Sequence, residues 1–189
     1  MAATFAVAMI PSKAFAQLQV SENFFVTADI PEATDISFIV YKVTGNEFET
    51  LGEITNLDFQ LSFNSEFGIY LPDFFFAIDV APQDGAGVPS VLIEYTDTQN
   101  PNGGADNGLG AKAVGTAVRV EGTEETTLAQ DTLSGIDGTN IPARDIQGGF
   151  LRFYLGISTG EPGTPGVPFS NGDQPGSYEG TLTLTATIT

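Results

Sequence analysis

From Leu18 to Ile30 the chain reads LQVSENFFVTADI, and its even positions (Leu18, Val20, Glu22, Phe24, Val26, Ala28, Ile30) are apolar except for Glu22. The odd positions are Gln19, Ser21, Asn23, Phe25, Thr27 and Asp29. An extended strand sends alternate side chains to opposite faces. The spacing therefore predicts a strand with one buried face, about 40 Å long at about 3.3 Å per residue. Such a strand can pair inside its own domain. It can also leave that domain and complete the sheet of a neighbouring copy, as strand addition does. Periodicity alone leaves both uses open.

Only a strand with a free end can be lent to a neighbour, so the preceding residues matter. Residues 2–16, AATFAVAMIPSKAFA, hold an apolar run from Ala2 to Ile10, then Pro11, Ser12 and Lys13, then Ala14-Phe15-Ala16. The run is too short for a membrane-spanning helix, which needs about 20 apolar residues. Ala14 and Ala16 form an A-x-A cleavage pattern behind it, as in a secretory signal peptide, although no positive n-region precedes Ala2. The expected organisation is residues 1–16 as a cleaved signal, 17–31 as an N-terminal strand extension starting at Gln17, and 32–189 as one β domain.

Composition narrows the function classes. Six Lys and Arg against 24 Asp and Glu give a net charge of −18. That balance argues against nucleic acid and anionic membrane surfaces, both of which select basic patches. The chain has no Cys, so an exported fold must be held by its core and not by disulfides. Twenty-two Gly and 11 Pro, beside many Thr, Val and Phe, indicate an all-β chain of strands and turns.

Along the chain, Pro31–Asp35 breaks the first strand, and Ile36–Val43 resumes with Ile36, Phe38 and Val40 on one face before the turn at Thr44-Gly45-Asn46. Ile54–Phe63 alternates, with Leu57, Phe59, Leu61 and Phe63 apolar. Phe74, Phe76, Ile78 and Val80 share a face in the next strand, with Phe75 opposite, and Val88–Tyr95 turns Val91, Ile93 and Tyr95 inward. Asp97–Gly110, DTQNPNGGADNGLG, is rich enough in Gly and Asn to predict irregular loop. A strand is expected around Val114–Val120, a short helical turn near Thr126–Thr132, and a strand over Phe150–Ile157 with Leu151, Phe153, Leu155 and Ile157 inward. Thr159–Gly176 reads as loop. The end, Tyr178–Thr189, alternates to its last residue, with Tyr178, Gly180, Leu182, Leu184, Ala186 and Ile188 on one face. About eight strands separated by turns predict a sandwich of two antiparallel sheets.

The two ends carry a resemblance. VSENFFVTADIPEAT from Val20 and GDQPGSYEGTLTLTATIT from Gly172 resemble the termini of major pilin subunits of the alternate chaperone-usher class, the colonisation-factor fimbriae. The family pattern V-x-x-N-[IF]-x-V-T-A-x-[VI] matches Val20, Asn23, Phe24, Val26, Thr27, Ala28 and Ile30, and the closing G-x-Y-x-G matches Gly176, Tyr178 and Gly180. The likeness covers about thirty residues at the ends and is only general between them. The loops at Asp97–Gly110 and Thr159–Gly176 have no counterpart in it. The absence of cysteine is shared with that class.

The resemblance implies an immunoglobulin-like, pilin-type antiparallel sandwich completed by a donor strand from a neighbouring subunit. Leu18, Val20, Phe24, Val26, Ala28 and Ile30 would be the donor residues. Tyr178, Gly180, Leu182, Leu184, Ala186 and Ile188 would form the C-terminal strand beside the acceptor groove. It further implies a head-to-tail homopolymer exported through the periplasm and displayed as a cell-surface fimbrium. Its partners would be identical subunits, a periplasmic chaperone, an outer-membrane usher and a host or surface receptor. Burying six donor side chains would contribute on the order of 10 kcal/mol before ordering costs. A head-to-tail contact propagates into a filament instead of closing as a dimer does. One domain suits a shaft subunit better than a two-domain tip adhesin. Glu22 interrupts the apolar face and would mark the groove mouth or the register.

Other chemistry finds little footing. Without His or Cys, Ser-His-Asp and Cys-His nucleophiles and ordinary zinc sites are excluded, no carboxylate pair stands out for glycoside hydrolysis, and no cofactor or catalytic residue is expected. Asp97 and Asp106, with Asn100, Asn102 and Asn107, offer oxygen ligands for calcium, but their spacing differs from an EF-hand loop and suits a tight turn. Gly108-Leu109-Gly110-Ala111-Lys112 lacks the ending of a phosphate-binding loop. The reading kept beside the filament subunit is a secreted, self-contained β-sandwich that binds carbohydrate or coats the cell surface, with Phe74-Phe75-Phe76 as a candidate contact.

Overall fold

The computed structural model describes residues 21–27, 36–52, 56–83 and 87–188. The expected signal segment lies outside them, and among the described residues no helix is long and apolar enough to cross a membrane. The strands are β1 (Ser21–Thr27), β2 (Ile36–Thr44), β3 (Glu47–Gly52), β4 (Asn56–Asn64), β5 (Ile69–Pro72), β6 (Phe75–Pro82), β7 (Ser90–Gln99), β8 (Ala113–Glu121), β9 (Glu124–Thr132), β10 (Thr139–Ile141), β11 (Phe150–Ile157) and β12 (Glu179–Thr187). Three single-turn helices punctuate them: α1 (Leu109–Lys112), α2 (Leu133–Ile136) and α3 (Ala143–Ile146). The fold is all-β, and the described residues form two six-stranded sheets ordered β10-β7-β12-β1-β4-β5 and β3-β2-β6-β11-β8-β9.

The sheets meet through their alternating faces. Leu57, Phe59, Ile93, Leu182 and Leu184 of the first sheet join Ile78, Val80, Leu151, Phe153 and Leu155 of the second in one buried cluster. Phe59 stacks on Phe74 at 6.1 Å between ring centres and meets Phe76 edge-on at 4.9 Å. The alternation of β11 appears as expected, with Leu151, Phe153, Leu155 and Ile157 buried. In β4 it fades toward the end: Phe63 is half exposed and rests on Tyr70, because the strand there runs past the core.

The structure departs from the sequence-based expectations in four places. Thr126–Thr132 is not helical but makes up most of β9, paired with β8 across a tight turn. Gly122, at φ 62, supplies the positive φ that such a turn needs, and the Thr-rich strand then gains a ladder that an isolated helical turn would lack. The helical turn forms one step later as α2, where the Thr132 hydroxyl accepts from the Gly135 N–H at 3.1 Å. The Asp97–Gly110 stretch is also more regular than expected. β7 continues to Gln99, a 3₁₀ turn spans Ala105–Asn107 and α1 follows. β6 buries Ala77 and Asp79 as well as its expected inward face, since side chains of neighbouring strands cover the outer face there. Finally, among the described residues the ladders are antiparallel except one, between β1 and β12.

Candidate functional site: the slot between β12 and β4

β12 and β4 lie in the same sheet without pairing to each other; β1 stands between them. It runs parallel to β12, with Phe24 opposite Gly180 and Val26 opposite Leu182, and antiparallel to β4, with Phe24 opposite Leu57 and Glu22 opposite Phe59. The strand expected to complete a neighbour is thus paired within its own chain, because the slot it fits is also open to its own N-terminal segment. Of the donor residues, Phe24 and Val26 occupy register positions in β1, while Leu18, Val20, Ala28 and Ile30 lie outside the described residues.

The walls of the slot are well defined. On β12, Gly180, Leu182, Leu184 and Ala186 are buried, Tyr178 is buried just before the strand, and Ile188 is partly buried against the core. On β4, Leu57 and Phe59 are buried, and sequence reading identified them as core without identifying them as a wall. β12 is held from its other side by β7 through an antiparallel ladder running from Glu179↔Gln99 to Thr187↔Ser90. Gly180 is required by close packing: a methyl group there would collide with the hydroxyl of Tyr95, which donates to Asp97 at 2.7 Å.

A second arrangement, unforeseen from sequence, covers the outer face of the other sheet. Arg152 on β11 grips Asp79 on β6 through two hydrogen bonds of 2.6 and 2.8 Å. Its guanidinium lies 4.7 Å from the ring centre of Phe48 and within about 6 Å of Tyr41, Phe150 and Tyr154. The paired Asp79 carboxylate holds Arg152 firmly protonated against the opposing effect of burial. Burial, with the hydrogen bond to Glu125, pushes the Tyr154 phenol above its ordinary value. Beside them a groove of about 330 Å³, lined by Val43, Phe75, Thr116 and Tyr154, opens toward a second of about 420 Å³ that adds Asn46 and Phe48. Phe75, expected to point away from the core, does so and meets Tyr154 edge-on at 5.7 Å.

The loop considered for calcium spends its carboxylate on the protein itself. Asp97 accepts from Tyr95 and, at 2.9 Å, from the Gly110 N–H. Among the described residues no group of three or more acidic side chains is placed to hold a metal ion. No family model, curated protein or solved structure matches the chain.

Proposed function

We propose that the protein is the structural subunit of an extracellular, cell-surface pilus. In this reading it has an immunoglobulin-like, pilin-type domain whose first sheet is completed by the Leu18–Ile30 segment of a neighbouring copy. The observation that carries the reading is the position of β1, an N-terminal strand wedged between two strands that do not pair with each other. Removing it would leave β10-β7-β12 and β4-β5 separated by a slot with apolar walls and two rows of unpaired backbone groups. Such edges invite another strand.

In this reading the slot would take a strand in either direction. β1 is parallel to β12 and antiparallel to β4, so β12 and β4 run opposite ways. A neighbour's strand entering in reverse would also make one parallel and one antiparallel ladder. Exchange between copies therefore replaces one set of backbone bonds with an equivalent set, and export would need a chaperone to cover the slot until a subunit fills it. The fimbrial assembly, the usher and the receptor follow from the resemblance at the chain ends.

The test is a trio of chains: the mature protein, the same chain lacking residues 17–31, and the shortened chain with LQVSENFFVTADI attached after Thr189 through a flexible linker. The expected outcome is heat-resistant multimers for the first, an unstable or chaperone-dependent product for the second, and a stable monomer for the third. A mature chain that is a well-folded monomer under all conditions overturns the filament. The second reading, a self-contained carbohydrate-binding sandwich, would then take its place. It is favoured by the cis placement of β1 and by the aromatic groove at Phe48, Phe75 and Tyr154. Glycan-array binding that is lost on Phe75→Ala is its signature.

A further inference from the structure

Lys112 closes α1 and is 3 % exposed, a location that lysine almost never occupies without a specific partner. Its Nζ lies 2.8 Å from Oδ1 of Asp173. The same carboxylate oxygen accepts a hydrogen bond of 2.7 Å from the side-chain amide nitrogen of Asn102. The amide oxygen of Asn102 in turn accepts from the backbone N–H of Gln174 at 2.8 Å. The Phe169 ring, 1 % exposed, covers the ammonium at 4.8 Å from its centre and packs edge-on against buried Tyr178. An amine, a carboxylate and a carboxamide thus converge under the Phe169 ring where the β7–β8 and β11–β12 connections meet.

From this arrangement we infer that Lys112 and Asn102 form an intramolecular isopeptide bond, with Asp173 as the acid-base group. The ammonium passes a proton to Asp173, an exchange of an ion pair for a neutral pair that burial favours. The freed amine attacks Cγ of Asn102, and the oxygen that gains charge is the one held by the Gln174 N–H. Asp173 returns its proton to the departing nitrogen, with which it is already hydrogen-bonded. The C–N bond to the amide nitrogen breaks as the bond to Nζ forms. In balance, an ammonium and a primary amide give a secondary amide and an ammonium ion, with no oxidant or cofactor. Asp173 starts in the form this role needs. Although burial would raise its pKa, the Lys112 ammonium, the Ser170 N–H and the Asn102 amide together hold it below the usual carboxylate range. The bond would give a chain with no cysteine a covalent staple that needs no disulfide.

The full chain, purified and digested with a protease that cuts before aspartate, tests this directly. Cleavage before Asp97, Asp106 and Asp131 places Asn102 and Lys112 in separate peptides, 97–105 and 106–130. The expected result in tandem mass spectrometry is one branched species, the sum of the two peptides less one ammonia. Asp173→Asn should abolish it while leaving both peptides intact. Two unlinked peptides overturn the inference, and this includes the case in which Asn102 alone has lost ammonia by cyclising at Asn102-Gly103. A Lys112 to Asp173 link lighter by one water also overturns it, as does a branched species that persists in Asp173→Asn.

Discussion

The two sheets place an alternating strand at their centres in different ways. β11, in the second sheet, has antiparallel ladders on both sides, running from Leu151↔Val80 to Leu155↔Phe76 and from Phe150↔Val120 to Ile157↔Ala113. Two of the five strand pairs in that sheet are hairpins with short turns, β2 to β3 at Gly45-Asn46 and β8 to β9 at Gly122-Thr123. β1, in the first sheet, has one antiparallel and one parallel ladder. Parallel pairing is slightly weaker per residue. In the proposed reading the second sheet stays closed, whereas the first is the one that exchanges its central strand between copies.

That contrast can be broken experimentally. Phe153→Ala, in the fully buried centre of β11, should cost about 3–5 kcal/mol of unfolding free energy in urea titration. Added LQVSENFFVTADI peptide should recover none of it, whereas the same peptide should restore folding to the chain lacking residues 17–31. Recovery in both would mean that the sheets do not differ in the way proposed. Gly180→Ala should cost about 1–3 kcal/mol, because its methyl group drives the Tyr95 hydroxyl off Asp97. On the outer face, Phe75→Ala should cost only about 0.5–1.5 kcal/mol beyond lost burial, by thermal melting, since it removes one edge-on contact with Tyr154.

The smallest effect is that of acid. Where Lys112 and Asp173 remain an ion pair, the folded Asp173 pKa lies below the unfolded one. Its contribution is therefore complete above the ordinary carboxylate value of about 4 and is lost as the pH falls through the lower folded value. Lys112→Met should shrink this acid-sensitive part of the stability, as measured by urea midpoints at about pH 5 and about pH 3. An unchanged difference between the two midpoints would mean that the pair does not set the titration of Asp173.

Much of the first-order pattern was legible in the residues. Phe150–Ile157 and Tyr178–Ile188 alternate so strictly that their buried faces could be named from period two, because a residue one step off would move its side chain to the other side of the sheet. The Thr-rich stretch of β9 was misread as helical, since its strand character comes from pairing with β8 and not from its own pattern. The Lys112, Asn102 and Asp173 cluster was invisible for a related reason: Asp173 lies 61 positions beyond Lys112, and no local spacing announces their meeting.

Sequence alone determined the all-β class, the absence of thiol and imidazole chemistry, and the inward faces of the long strands, because these depend on residue type and on a two-residue period. Tertiary structure decided which strands became neighbours. It put β1 between β12 and β4, set Arg152 on Asp79 and brought the β7–β8 and β11–β12 connections together around Lys112. Those choices depend on ladder pairing and burial between residues far apart in the chain, where the free energy is shared among partners that no single stretch contains.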